Sequence, residues 1–354
     1  MKNNIVTKIL IIYTVLIGML GILLKDNEIS KTERRKLKQA PVLNYEKVVD
    51  GSYFTDLDDY TLDQMPARDV FRKIKGITSK YLLNVKEENG VYEKDGYLFE
   101  ITKTSENSLD YFVNKINEIN KNFKANTYFV KIPDKEYYED NIIKKDYKLI
   151  DNKLKNLDKN IMQIDISSEL LLNDYYKTDI HWINSKLGKV ITKIKSVMNL
   201  EEGLTYTEKM LYPFYGALYS RKVSSVKADK ITYLTNETIE NMRVYNYEKD
   251  KEEKVYNEDY FHNIDSYDIF LAGATPVLKI TNNKVADKKL IVFRDSYGSS
   301  IIPFLAENYH EVIVLDLRYV KFANLQNLDI DLTNPDDILF IYSVNIINNS
   351  FSLK

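Results

Sequence analysis

Three residues have the types and spacing for acyl transfer. Asp179 and His181 stand two apart in KTDIHWINSKLGKVI (177–191), and Ser296 follows the apolar run and the charged pair Arg294-Asp295 of KLIVFRDSYGSS (289–300). A serine becomes a nucleophile when a base takes its proton, and a carboxylate beside a histidine orients the ring and stabilises the imidazolium. Placed between a strand and a helix, Ser296 would expose its hydroxyl, and the free backbone N–H groups of Ser296 and Tyr297 would be able to hold a developing oxyanion. Gly298 would let the backbone approach a substrate. The stretch departs from the nucleophile elbow G-x-S-x-G at its first glycine, where Arg294 stands. A structural alternative stays open at each motif: Asp295 or Ser296 caps the helix, or Asp179 caps the helix after Trp182 while His181 packs on that ring.

The rest of the composition narrows the chemistry. The chain has no cysteine and three histidines, His181, His262 and His310, so thiolate nucleophiles and thiolate metal sites are excluded. His310 follows the helix that starts at Ser296, which at ~1.5 Å per residue puts it about 20 Å away and unable to serve as the base. His262 lies in NEDYFHNID, where no pattern connects it to Ser296. Carboxylates are scattered without ligand spacing, and neither a metal nor a cofactor is expected. A formal net charge of −2 gives no basic field for nucleic acid.

Positioning these residues requires a sheet with its strand ends gathered at one edge. Continuous apolar strands at 126–133, 160–166, 290–293, 312–317 and 337–344 alternate with helices near 105–123, 139–156, 184–198 and 296–308. That alternation predicts a parallel sheet covered on both faces, whose functional groups gather at the carboxyl ends of its strands. Residues 203–288 are Tyr-rich and Lys-rich with little period, and are expected to be an insertion of loops and short strands. Residues 51–83 read as two helices broken at Pro66, and NGVYEKDGYLFEI (89–101) as a β-hairpin with turn residues at Asn89-Gly90 and Asp95-Gly96.

The N-terminus carries an uncharged apolar run from Ile9 to Leu24, slightly short of the ~20 residues that cross a bilayer. No small-x-small cleavage site follows, so an uncleaved membrane anchor is expected over 1–28. Lys25, Lys31, Arg34, Arg35, Lys36 and Lys38 follow the run, a bias that taken alone would keep the remainder in the cytosol. The expected organisation is the anchor, then a linker, helical segment and hairpin over 29–100, then the main domain over 101–354.

Together DIHW (179–182), RDSY (294–297), ERRKL…AP (33–41), DQMPARD (63–69) and NGVYEKDGYLF (89–99) resemble the DHHW proteins of Firmicutes, from about residue 29 to the end. These are relatives of the SGNH-hydrolase-like alginate O-acetylation proteins. The resemblance implies a three-layer α/β/α SGNH fold, export on an N-terminal anchor, and acetyl transfer to an extracellular polysaccharide, with a membrane-bound O-acyltransferase as the acetyl source. Carried over to this sequence, Ser296 is the nucleophile, His181 the general base and acid, and Asp179 the residue that orients it. Two positions depart from the family: Ile180 replaces the first histidine of DHHW, and Ala274 in FLAGATP stands where an asparagine is usual. Losing an oxyanion donor can cost 10² to 10³ in rate, which the backbone N–H of Gly216 or Gly273 could offset. An esterase with the same triad, and a silent polysaccharide-binding or assembly subunit, remain the alternatives.

Overall fold

A computed structural model describes residues 2–30, 32–202 and 204–354. They form two compact units: the residues up to Asn89 together with Tyr219–Ser225, and Gly90–Leu218 together with Val226–Lys354.

The smaller unit has a helix at Lys2–Leu23, a two-residue antiparallel pairing of Ile29–Ser30 with Arg35–Lys36, and helices at Tyr45–Val49, Ser52–Asp63 and Arg68–Tyr81. The last two are separated at Pro66, as expected. Charge holds this unit together: Arg35 clasps the Asp63 carboxylate at 2.7 and 2.5 Å, and Lys38 N–H donates to it at 2.9 Å. The Arg35 hydrogen bonds pull the Asp63 pKa down to about 2, against its burial. No helix among the described residues is long and apolar enough to cross a membrane, so the expected anchor finds no support there; the side chains of Leu10 and Ile22, within the apolar run, lie outside the described residues.

The larger unit is built on one eight-stranded sheet. Its strands are β1 (Asn126–Ile132), β2 (Ile161–Asp165), β3 (Arg243–Asn246), β4 (Lys251–Glu253), β5 (Val277–Thr281), β6 (Lys289–Arg294), β7 (Glu311–Leu315) and β8 (Asp337–Ser343), in the order β4-β3-β5-β7-β6-β8-β1-β2. The five strands from β7 to β2 are parallel, and their register aligns Arg294 with Ile341, Ser343 with Ile132, and Lys131 with Asp165. Their carboxyl ends therefore share one edge. Alternate side chains feed two cores: Leu290, Val292, Leu339 and Ile341 face one, while Ile291, Phe293, Ile338 and Phe340 face the other. Helices α3 (Gly188–Val197) and α4 (Gly298–Ala306) supply Val190, Ile194, Ile301 and Leu305 to the first core. Helices α1 (Glu106–Asn120), α2 (Tyr147–Leu154) and α5 (Val344–Ile347) supply Phe112, Ile116, Ile150, Leu154 and Ile347 to the second.

Three expectations need correction. The sheet is mixed, because β3, β4 and β5 from the unreadable stretch extend it antiparallel. They are three to five residues long, and β3 buries only alternate side chains, so no long period marks them. The helix expected at 139–156 is the shorter α2, capped when the Asp146 carboxylate accepts from Leu149 N–H at 3.0 Å. The helix expected from Asn184 is split into a 3₁₀ turn at Asn184–Lys186 and α3, and Asn184 is buried with its side chain engaged elsewhere.

Candidate active site

Ser296 stands two residues beyond β6, at the carboxyl edge of the sheet. It is half-buried, while its neighbours from Leu290 to Ala306 are buried. Asp295 shapes the turn: one carboxylate oxygen accepts from Tyr297 N–H at 3.0 Å, the other from Ser343 N–H at the end of β8 at 2.7 Å. Asp295 thus fixes the turn and ties it to the next strand, and the Ser296 hydroxyl is left for other work. Packing requires Gly298, since a Cβ there would lie 2.7 Å from the Arg294 Cβ. Arg294 is fully buried and reaches Asp316 at 3.3 Å and the Gly273 carbonyl at 3.1 Å.

Asp179 and His181 reach Ser296 on a tight turn. The backbone closes over 174–183 through Tyr176 N–H to His181 O (3.1 Å) and Ile183 N–H to Asp174 O (2.7 Å). At its tip the Asp179 Oδ1 accepts from His181 N–H at 3.0 Å and lies 2.5 Å from His181 Nδ1. The other ring nitrogen, Nε2, is 2.7 Å from Ser296 Oγ. A carboxylate on Nδ1 assigns the ring proton to that nitrogen, leaving Nε2 to accept from the serine. Asp179 is 0% and His181 6% exposed, so their pairing is shielded from water. Neither expected alternative holds the turn: Trp182 Nε1 donates to Ser300 Oγ at 2.8 Å, and Asn184 donates to Ser300 O at 2.6 Å, pinning the turn to α4.

The other ring contacts were not visible in the sequence. Tyr267 stacks on His181 with centroids 3.9 Å apart and planes 8° apart. The Tyr297 hydroxyl donates to Ile180 O at 2.6 Å, so the position that departs from DHHW contributes its carbonyl while its side chain packs on the core.

The expected oxyanion donors are mostly engaged. Tyr297 N–H is held by Asp295, Gly216 N–H donates to Thr178 Oγ1 at 3.1 Å, and Gly273 N–H donates to Phe270 O at 3.0 Å in a turn with φ 72°. Only the Ser296 N–H, of the four, meets no protein acceptor among the described residues. Gly216 instead backs the carboxylate: a Cβ there would lie 2.2 Å from the Asp179 Cβ, and the adjoining Ala217 N–H donates to Asp179 Oδ2 at 2.6 Å. The Gly216 partner lies 38 positions away, whereas Tyr297 and Gly273 are engaged within their own turns, which motif spacing does not reveal. His310 lies at the other edge, its N–H on Lys288 O just before β6, and His262 is exposed on the Glu258–His262 turn. Among the described residues no group of His, Asp and Glu is arranged to hold a metal ion.

No family model and no curated protein matches the sequence. Solved structures do match. A DHHW family protein from Eubacterium siraeum is 19% identical with a TM-score of 0.59, covering 75% of this chain and 94% of its own. Bacillus cereus PatB1 is 19% identical with a TM-score of 0.58, covering 73% and 96%; its form with a sulfonyl adduct is 18% identical, with 0.59, 73% and 95%. Most of each neighbour is thus reproduced, in a mixed α/β fold with a large, mostly parallel sheet. The chain carries the fold of a DHHW family protein, the group that its DIHW and RDSY motifs resemble.

Proposed function

We propose that this protein is an SGNH-type O-acetyltransferase that acetylates an extracellular or cell-surface polysaccharide through an acetyl-Ser296 intermediate. The observation that carries it is the linear array of Asp179, His181 and Ser296, with contacts of 2.5 and 2.7 Å on opposite nitrogens of one buried ring. Ser296 Oγ attacks the acetyl carbonyl as His181 Nε2 takes its proton, and that proton passes to the departing donor group. His181 then removes a proton from a sugar hydroxyl, whose oxygen attacks the acetyl-serine and frees Ser296. Asp179 stays ionised and stabilises the imidazolium in both halves. The Ser296 N–H, which meets no protein acceptor among the described residues, is the oxyanion donor.

The same proposal puts the larger unit outside the cytoplasmic membrane, with the apolar run Ile9–Leu24 at the membrane and a membrane-bound O-acyltransferase as acetyl source. Water in place of the sugar would make the protein an esterase. The single unengaged donor favours a slow enzyme, and in the limit a polysaccharide-binding subunit. Intact mass after brief exposure to an activated acetyl ester tests the proposal: one acetyl on wild type and none on Ser296→Ala supports it. A folded wild type that takes up no acetyl from any donor, yet binds polysaccharide, replaces it with the binding subunit.

A further inference from the structure

Peptides 176–179, which lead into Asp179, lie between a buried ammonium and a half-buried carboxylate. Lys135 follows β1 in the 3₁₀ turn Lys135–Tyr138 and is 3% exposed. Its ammonium donates to Tyr176 O at 2.8 Å, to Asp179 O at 2.7 Å and, at longer range, to Lys177 O at 3.4 Å. The rings of Tyr97 and Phe99 close another side, with centroids 5.9 and 5.5 Å from Nζ. From the opposite direction the Asp229 carboxylate accepts from Lys177 N–H at 3.0 Å, Thr178 N–H at 2.7 Å and Thr178 Oγ1 at 2.5 Å. Carbonyls thus point at a cation and amides at an anion, the orientation in which both charges favour one backbone conformation. Filling this space with apolar side chains would stabilise a fold at least as well as a buried ammonium does. What the charges add is a fixed position for the backbone they grip.

We infer that Lys135 and Asp229 are paired positioning residues, acting across peptides 176–179 to hold Asp179, and through it His181, in line with Ser296. This rests on the triad proposed above. Burial pushes the Lys135 ammonium down to about 7, opposed by Asp229, Asp179, Glu136 and Glu100. Burial raises the Asp229 carboxyl, opposed by its Thr178 and Lys177 hydrogen bonds and by Lys135. The grip therefore weakens on both sides of a window below neutrality, as the ammonium loses its proton when pH rises through about 7 and as the carboxylate gains one at acid pH.

Phenylmethanesulfonyl fluoride reads the alignment without a natural substrate: Ser296 Oγ bonds to sulfur, fluoride leaves, and the serine proton goes to His181. Intact mass follows the labelling rate of the full chain from pH 6 to 9 for wild type, Lys135→Met, Asp229→Asn and the double variant. Hydrogen exchange of the backbone over 174–183 is measured in parallel, and circular dichroism checks each fold. Each single variant is expected to label about 10²-fold more slowly, the cost of a small misplacement, and the double variant hardly more slowly than either. The alkaline fall in rate should vanish in Lys135→Met and move to lower pH in Asp229→Asn, while exchange over 174–183 rises and that of β1, β6 and β8 does not. Wild-type labelling rates in folded single variants, or effects that multiply in the double variant, overturn the inference. Failure of wild type to label overturns the triad instead, and exchange then decides the clamp: unchanged protection over 174–183 in both single variants refutes it.

Discussion

The carboxyl ends of β1 and β6 are separated only by β8, yet they use charge in opposite ways. After β1, Asp134, Lys135 and Glu136 are 5%, 3% and 3% exposed, and Lys145 bridges the two carboxylates at 2.9 and 2.7 Å. Every one of these groups is committed to a buried partner, and no nucleophile is among them. After β6, Asp295 is just as buried, but it spends both oxygens on backbone N–H groups and leaves Ser296 half-exposed with its oxygen on His181. The density of buried charge therefore does not locate chemistry. What sets the β6 end apart is one hydroxyl left half-exposed on a buried histidine while Asp295 beside it is committed to the backbone.

Substitutions at the two ends separate them most sharply. Ser296→Ala and His181→Ala should each abolish acetyl-enzyme formation, by about 10⁶-fold if the triad acts as one unit, with the double variant hardly worse. Asp179→Asn keeps the ring but spoils its tautomer, and should cost about 10⁴-fold in the same assay. At the β1 end, Lys145→Met leaves two carboxylates buried without their cation, and should lower stability by about 3–5 kcal/mol in urea denaturation. Equal losses of labelling from Lys145→Met at full stability would erase the distinction.

Ala274→Asn sharpens the contrast from the other side by adding a donor where three of the expected ones are engaged. Acetyl transfer should rise, by up to about 10²-fold, if an asparagine there reaches the oxyanion. An unchanged rate would assign the oxyanion to the Ser296 N–H alone. The smallest effect concerns pH. Burial, with Glu136 adding to it and Lys145 opposing it, raises Asp134 from 3.8 to about 7. A raised carboxyl contributes stability that is full below about 4 and lost as pH rises through 7, because the folded state binds the extra proton. Asp134→Asn should flatten that slope in denaturation midpoints compared at pH 5 and pH 8, with no change in the labelling of Ser296.

The strands of the parallel half were legible because both faces are buried, so KLIVFR and DILFIYS read as unbroken apolar runs. The antiparallel edge was not, since short half-exposed strands such as Arg243–Asn246 leave little pattern. Asp179, His181 and Ser296 could be singled out because histidine is scarce and their spacing is unusual. The oxyanion donors could not be read in the same way, because a backbone N–H carries no residue type. Whether it is free depends on the folded backbone, through a distant loop as Thr178 for Gly216 or through the local turn as Phe270 for Gly273.

By itself, then, the sequence singled out Asp179, His181 and Ser296 and the parallel strands, since both follow from side-chain chemistry and local periodicity. Lys135 and Asp229 were two among 102 charged residues, 50 basic and 52 acidic, with nothing local to distinguish them. Tertiary structure alone decided that they meet on opposite sides of peptides 176–179, and that Ser296 stays open while Asp295 does not. The reason is physical: hydrogen bonding and burial are set by whatever lies within a few ångströms in space, and for these residues the partners lie about 40 to 50 positions away in the chain.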